Sequence, residues 1–221
     1  MSRIGLFILC ATSGVGLAAC GSGGSKDEGG GGSKSLVDRV PDSKTLPGWT
    51  VNKTKNQSGT EKPMTATTKE EGGALIDGGI EPFYQDGYTP KMFLWQNYVN
   101  SSLPDAPVDP NDPTSQGATV SLYGLEMPSA DQASGLYKNV LKNSEYNPRA
   151  TPWEEPTSPL IGTLSRIQDT NTDWWINFHK GVYYVEVAFN PSAGPAPEYK
   201  PSNPNLKKAA LDFSEAVASR L

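Results

Sequence analysis

One histidine and two cysteines are all that 221 residues contain of the side chains most used for metal binding and nucleophilic catalysis. Imidazole-rich metal centres and multi-disulfide frameworks are excluded by that shortage alone. Positive charge is also scarce. Nineteen Lys and Arg face 24 Asp and Glu, for a formal net charge of −5. A nucleic-acid binder needs a basic surface, so that class is set aside. The apolar share, 36%, is low for a globular chain. With 23 Gly and 19 Pro, loops and linkers must be generous. What the chain does have is aromatic: 5 Trp, 9 Tyr and 6 Phe, too many for a wholly disordered chain. The length allows one domain with appendages, or at most two small ones.

The N-terminal residues read as an address. Arg3 is followed by an apolar stretch from Ile4 to Ala19, interrupted by Gly14 and Gly16. It is shorter than the about 20 residues a spanning helix needs. Leu17-Ala18-Ala19-Cys20 resembles the lipobox of bacterial lipoproteins. That resemblance implies a signal peptide over residues 1–19, diacylglycerol on the Cys20 thiol, and acylation of the new amino group. Two or more acyl chains anchor stably where one does not. Cys10 would leave with the signal peptide and Cys20 would become a thioether, leaving no thiol for catalysis or a disulfide. Residues 21–35 hold seven Gly and four Ser, a flexible tether with a reach of about 20 Å. The expected location is the bacterial cell envelope, with the membrane as partner through the lipid. Gly21 in place of an aspartate favours an outer membrane where the host has one.

From residue 36 to 221 the composition suits a single domain with a proline-rich insertion at 100–117. Leu46-Pro47-Gly48-Trp49 marks a turn, and Trp49–Asn52 a short strand. Residues 57–68 are polar and read as a loop. Ile76, Ile80 and Phe83 share a face at helical spacing, which predicts a helix over Lys69–Gln85 with close packing at its glycines. Lys91–Val99 and Thr119–Met127 read as strands. Ser129 with Gln132 forms an S-x-x-Q box, and Ala133, Leu136, Tyr137 and Val140 recur at helical intervals, so Ser129–Leu141 is the clearest helix. Gly162–Asp169 is a further strand. Trp174–Phe178 and Val182–Phe189 form a hairpin around His179-Lys180-Gly181. Asn205–Arg220 closes as a helix. The fold class expected is α+β: an antiparallel sheet with helices packed on one face, the repeated order suggesting a duplicated strand-strand-helix unit.

Four segments, Leu46–Trp49, Ala74–Tyr84, Leu122–Tyr137 and Trp174–Val187, resemble an uncharacterised family of exported bacterial proteins. The resemblance implies domain limits near Leu46–Leu221 and assigns no chemistry.

The candidate chemistry is sparse. His179, placed in a turn, would be a poorly oriented base. Glu154-Glu155 beside Trp153 suggests a sugar cleft, yet adjacent residues point apart. Glu126 and Glu186 lie within strands. Asp105, Asp109 and Asp112 in the proline-rich insertion lack the spacing of a calcium loop, and the prolines there favour an extended docking segment. No phosphate loop, nucleophile elbow or metal cluster is present, so no catalytic residue, metal ligand or cofactor is assigned. The hairpin is the best lead. Period-two alternation puts Trp175 and Asn177 on one face with Tyr184 and Glu186, an aromatic pair beside polar groups that suits a protein or glycan. The function expected is a non-enzymatic binding or envelope-assembly module. A carboxylate-dependent hydrolase acting on envelope material is the alternative.

Overall fold

The two nine-residue strands carry buried apolar side chains on both faces, and both lie inside the sheet rather than at its edge. The computed structural model describes residues 34–53, 59–77, 79–85, 87–103, 117–140, 151–170, 173–190 and 204–221. The signal segment, Cys20, residues 21–33 and the Asp105, Asp109 and Asp112 group lie outside the described residues. Strands β1 (Thr50–Val51), β2 (Met64–Ala66), β3 (Met92–Asn100), β4 (Ala118–Glu126), β5 (Leu164–Asp169), β6 (Trp174–Lys180) and β7 (Tyr183–Asn190) form one sheet in the order β1-β3-β4-β7-β6-β5. β2 pairs with β3 beside β1, and every pairing is antiparallel. Helices α1 (Leu36–Arg39), α2 (Lys69–Leu75), α3 (Ala130–Val140) and α4 (Pro204–Ala218) complete the α+β fold.

The strands are arranged symmetrically about the β4–β7 seam, as a duplicated unit would require. The helices break that symmetry, and here the expectation of helices on one face is corrected. Leu206, Ala210, Phe213 and Val217 of α4 pack with Leu94, Tyr98, Leu122, Ile176, Phe178, Val185 and Val187, and Leu36 of α1 joins the same cluster. Ala133, Leu136, Tyr137 and Val140 of α3 pack with Phe93, Leu125 and Tyr184, which alternate with the first set along β3, β4 and β7. The inner strands are apolar on both faces, so each face must be removed from water by its own helix. On the α4 face the cluster centres on edge-on rings: Phe213 lies 5.1 Å from both Trp49 and Tyr98, centroid to centroid. The hydroxyl of Tyr98 donates to the Pro41 carbonyl at 2.7 Å. The two ends of the described unit are clasped together. Arg39 Nη1 donates to the Arg220 and Leu221 carbonyls, and Arg220 Nε to the Arg39 carbonyl.

Local sequence explains most boundaries. Ser129 Oγ accepts from the Gln132 amide at 3.2 Å, starting α3 where expected. The reciprocal half of the box is not made, since Gln132 Oε1 has no partner. The long helix expected over Lys69–Gln85 is cut to α2, capped by Thr68 and Glu71. Asp77 adopts φ +52° just beyond it, and a 3-10 turn follows at Glu81–Phe83. The glycine reading holds in part: a Cβ at Gly72 would come within 2.9 Å of Ile80 Cδ1, so Gly72 permits the return of the chain. The expected loop 57–68 contains β2. The β6–β7 hairpin turns on two residues, Gly181 and Val182, with Gly181 at φ +55°. A primed two-residue turn requires that sign at its first position.

Because Phe213 joins α4 to Trp49 and Tyr98, Phe213→Ala should lower stability by about 3–5 kcal/mol. Urea unfolding measures it. A loss below about 1 kcal/mol would contradict the placement of α4 on this face.

Candidate functional site

On the face opposite α4, strand register draws side chains into straight lines across the sheet. One line runs Arg166, Asn177, Glu186, Tyr123, Trp95 from β5 to β3. The line on its α3 side is Leu164, His179, Tyr184, Leu125, Phe93; on the other side stand Gln168, Trp175, Ala188, Ser121 and Asn97. The α3 helix covers the apolar line with Leu136 and Tyr137. Beyond it, Gln168, Trp175, Ala188 and Ser121 are half-buried. Trp95 and Tyr123, also half-buried, lie with their ring planes 4° apart and centroids 6.4 Å apart.

Three of the four residues expected to bind are brought into contact. Asn177 Nδ2 donates to the Tyr184 hydroxyl at 2.7 Å and to Glu186 Oε2 at 3.2 Å. The Tyr184 hydroxyl in turn donates to Glu186 Oε2 at 3.4 Å. Trp175 shares their face, as alternation requires, but in the half-buried line. The expected aromatic pair is therefore not an open one. Tyr184 is 0% exposed, because β7 is an inner strand and α3 lies on that part of it. Asn177 and Glu186 are buried as well. Of the four, Trp175 alone is half-buried rather than buried.

His179 is also relocated. It belongs to β6 rather than the turn, is 5% exposed, and packs against the Tyr137 ring at 5.4 Å. Burial, with a smaller contribution from Lys138, holds its pKa below the usual imidazole value. Its two ring nitrogens have no hydrogen-bond partner. Glu154 and Glu155 are split as their adjacency predicts: Glu154 pairs with Lys207, while Glu155 accepts from the Tyr137 hydroxyl at 2.7 Å.

Sequence reasoning missed Arg166. It is 0% exposed, with its guanidinium 4.3 Å from the Tyr137 ring centroid and 4.9 Å from that of Trp153. Nη1 donates to the Tyr137 carbonyl at 2.8 Å. The available signal was an arginine in mid-strand, in register with Asn177 and one strand further from Glu186. Among the described residues no group of three His, Cys, Asp or Glu is placed to hold a metal ion.

No family model matches the chain, and no curated protein matches it in sequence. Among solved structures it is similar to the extracellular domain of PknH from Mycobacterium tuberculosis, at 14% identity over 72% of this chain and 83% of that one, with a TM-score of 0.40. A likeness of that size carries no inference about function.

Burial pushes the Glu186 carboxyl up to about 7, against the lowering effects of Tyr184, Arg166 and Asn177. An acid whose pKa is raised on folding stabilises the fold fully below its unfolded value, and that contribution is lost as pH rises through the folded value. The window here runs from 4.5 to about 7 and corresponds to roughly 3 kcal/mol. Unfolding free energy measured across this window should therefore fall with pH by more in the native chain than in Glu186→Gln. Parallel pH profiles of the two would contradict the burial of an ionisable carboxyl.

Proposed function

We propose that this chain is a lipid-anchored lipoprotein of the bacterial envelope whose folded part is a non-enzymatic binding module. Its ligand, an envelope protein or a glycan, is received on the half of the sheet face that α3 leaves uncovered. The observation that carries this reading is the contrast between the two faces of the same strands. On the α4 face Tyr98, Val120, Leu122, Ile176, Val187 and Phe189 are all buried. On the other, Trp95, Tyr123, Ser121, Ala188 and Trp175 are half-buried. Aromatic rings beside neutral hydrogen-bonding groups form the kind of surface that contacts glycans and proteins. Leu36, at the start of the described unit, packs on the α4 face. Anchoring rests on the Leu17–Cys20 resemblance and the Gly/Ser tether, and an outer membrane is favoured where there are two.

The hydrolase alternative draws on Glu186, whose raised pKa suits a general acid. A glycosidase needs a second carboxyl across the scissile bond. Glu186 hydrogen-bonds Asn177 and Tyr184, and Glu155 is engaged by Tyr137. Binding is the better-supported reading.

Affinity purification from native membranes tests both parts. The native chain should fractionate with membranes and retain its ligand. Cys20→Ala should leave the membrane fraction, and Trp175→Ser or Ala188→Arg should stay anchored and folded but lose the ligand. Membrane retention of Cys20→Ala would refute the anchor. Unchanged ligand recovery with both surface variants would refute the face.

A further inference from the structure

The one histidine of the chain is set under the end of a helix. His179 faces α3 from β6, with its ring 5.4 Å from that of Tyr137. Across the strand pairings stand Leu164 on β5 and Tyr184 on β7. Neither ring nitrogen has a hydrogen-bond partner. An uncharged imidazole carries one N–H and an imidazolium two. Protonation therefore adds a second unanswered donor, and a charge, to a residue only 5% exposed, which is costly.

The groups around the ring do not offset that charge. From α3 come Tyr137 and Lys138, and the acidic residue of that helix, Asp131, is in its first turn. From β5 comes Arg166, whose guanidinium already lies 4.3 Å from the Tyr137 ring centroid. A second cation against the same ring is repelled. From β7 come Tyr184 and Glu186. Glu186 accepts from Asn177 and Tyr184, and burial holds its carboxyl up at about 7. It loses negative charge over the range in which His179 gains positive charge. Glu155 is taken by the Tyr137 hydroxyl at 2.7 Å. The imidazole pKa is lowered first by burial and then by Lys138, as this setting requires.

Tyr137 is also what fixes this end of α3. Its carbonyl accepts from Arg166 Nη1 at 2.8 Å, and its hydroxyl reaches Glu155. A charge on His179 acts on the helix where it is fastened. We propose that His179 is an acid-sensitive latch: protonation of its ring drives Tyr137 from its seat and releases the C-terminal half of α3, opening the row of Phe93, Leu125 and Tyr184 beneath. The latch stands independently of any ligand on the uncovered half of the face.

A base whose pKa falls on folding contributes stability that is complete above its unfolded value and is lost as pH falls through the folded one. The latch therefore opens below 6.5. Backbone hydrogen exchange of the full chain between about pH 8 and about pH 5, divided by the intrinsic rate at each pH, tests it. The Cε1–H resonance of the single histidine, followed in parallel, gives the ring titration. Amides from Leu136 to Val140 should exchange at least about tenfold faster at the acid end, with the midpoint of the ring titration, while those of α4 stay protected. His179→Phe keeps a ring that takes no proton and should remove the acceleration. Glu186→Gln removes the other titration in this range and should preserve it. Unchanged α3 protection while the ring titrates would overturn the proposal. So would an equal loss in α3 and α4, which is unfolding of the whole. Acceleration that survives in His179→Phe, or vanishes in Glu186→Gln, would also overturn it. The comparison of α3 with α4 is made in the native chain and needs neither variant to fold.

Discussion

The central strands β4 and β7 are apolar on both faces, and the rest of the molecule follows from hiding both. Alternation along β7 sends Tyr183, Val185, Val187 and Phe189 one way and Tyr184 the other. A single helix layer would leave one set in water at about 25 cal/mol per Å². The chain answers with α4 and α1 on one face and with α3, joined by Ile80 and Phe83, on the other. A strand-strand-helix repeat is thereby turned into a sandwich whose two halves are not equivalent. The α4 face is closed across the sheet by the Trp49, Tyr98 and Phe213 rings. The α3 helix is only eleven residues long, and it leaves part of its face to half-buried side chains.

That shortfall accounts for the polar line. Arg166, Asn177 and Glu186 sit between the region α3 dries and the region it does not reach. Buried polar groups are usually satisfied. Here Glu186 is, through Asn177 and Tyr184, while Arg166 and His179 retain unpaired nitrogens.

Much of this was readable from residue order. The 3.6 period of Ala133, Leu136, Tyr137 and Val140, and the period of two along Trp174–Phe178 and Val182–Phe189, placed α3 and the hairpin within a residue or two. Alternation also put Asn177, Tyr184 and Glu186 together. It could not say which side of the sheet each helix returns to, because that depends on contacts between segments far apart in the chain. The same limit hid the burial of Tyr184, which α3 imposes. His179 was misplaced because Gly181 was read as the end of a three-residue turn, whereas a primed turn needs only Gly181 and Val182. β2 was missed because Met64-Thr65-Ala66 has little intrinsic strand character, and it forms where β3 offers an unpaired edge. Positive φ at Asp77 and Gly79 cuts a periodic pattern that otherwise reads as one long helix, an instance of backbone conformation overriding side-chain spacing.

The claim on which the account turns is that one face of this sheet is closed and the other half open. Hydroxyl-radical footprinting of the folded chain, read residue by residue by mass spectrometry and scaled to the unfolded chain, addresses it directly. Trp175 should be oxidised readily, while Trp49, Tyr98, Trp174 and Tyr184 are protected. Trp174 and Trp175 are the sharpest comparison, being adjacent in sequence and on opposite faces of β6. Equal protection of those two would contradict the open face.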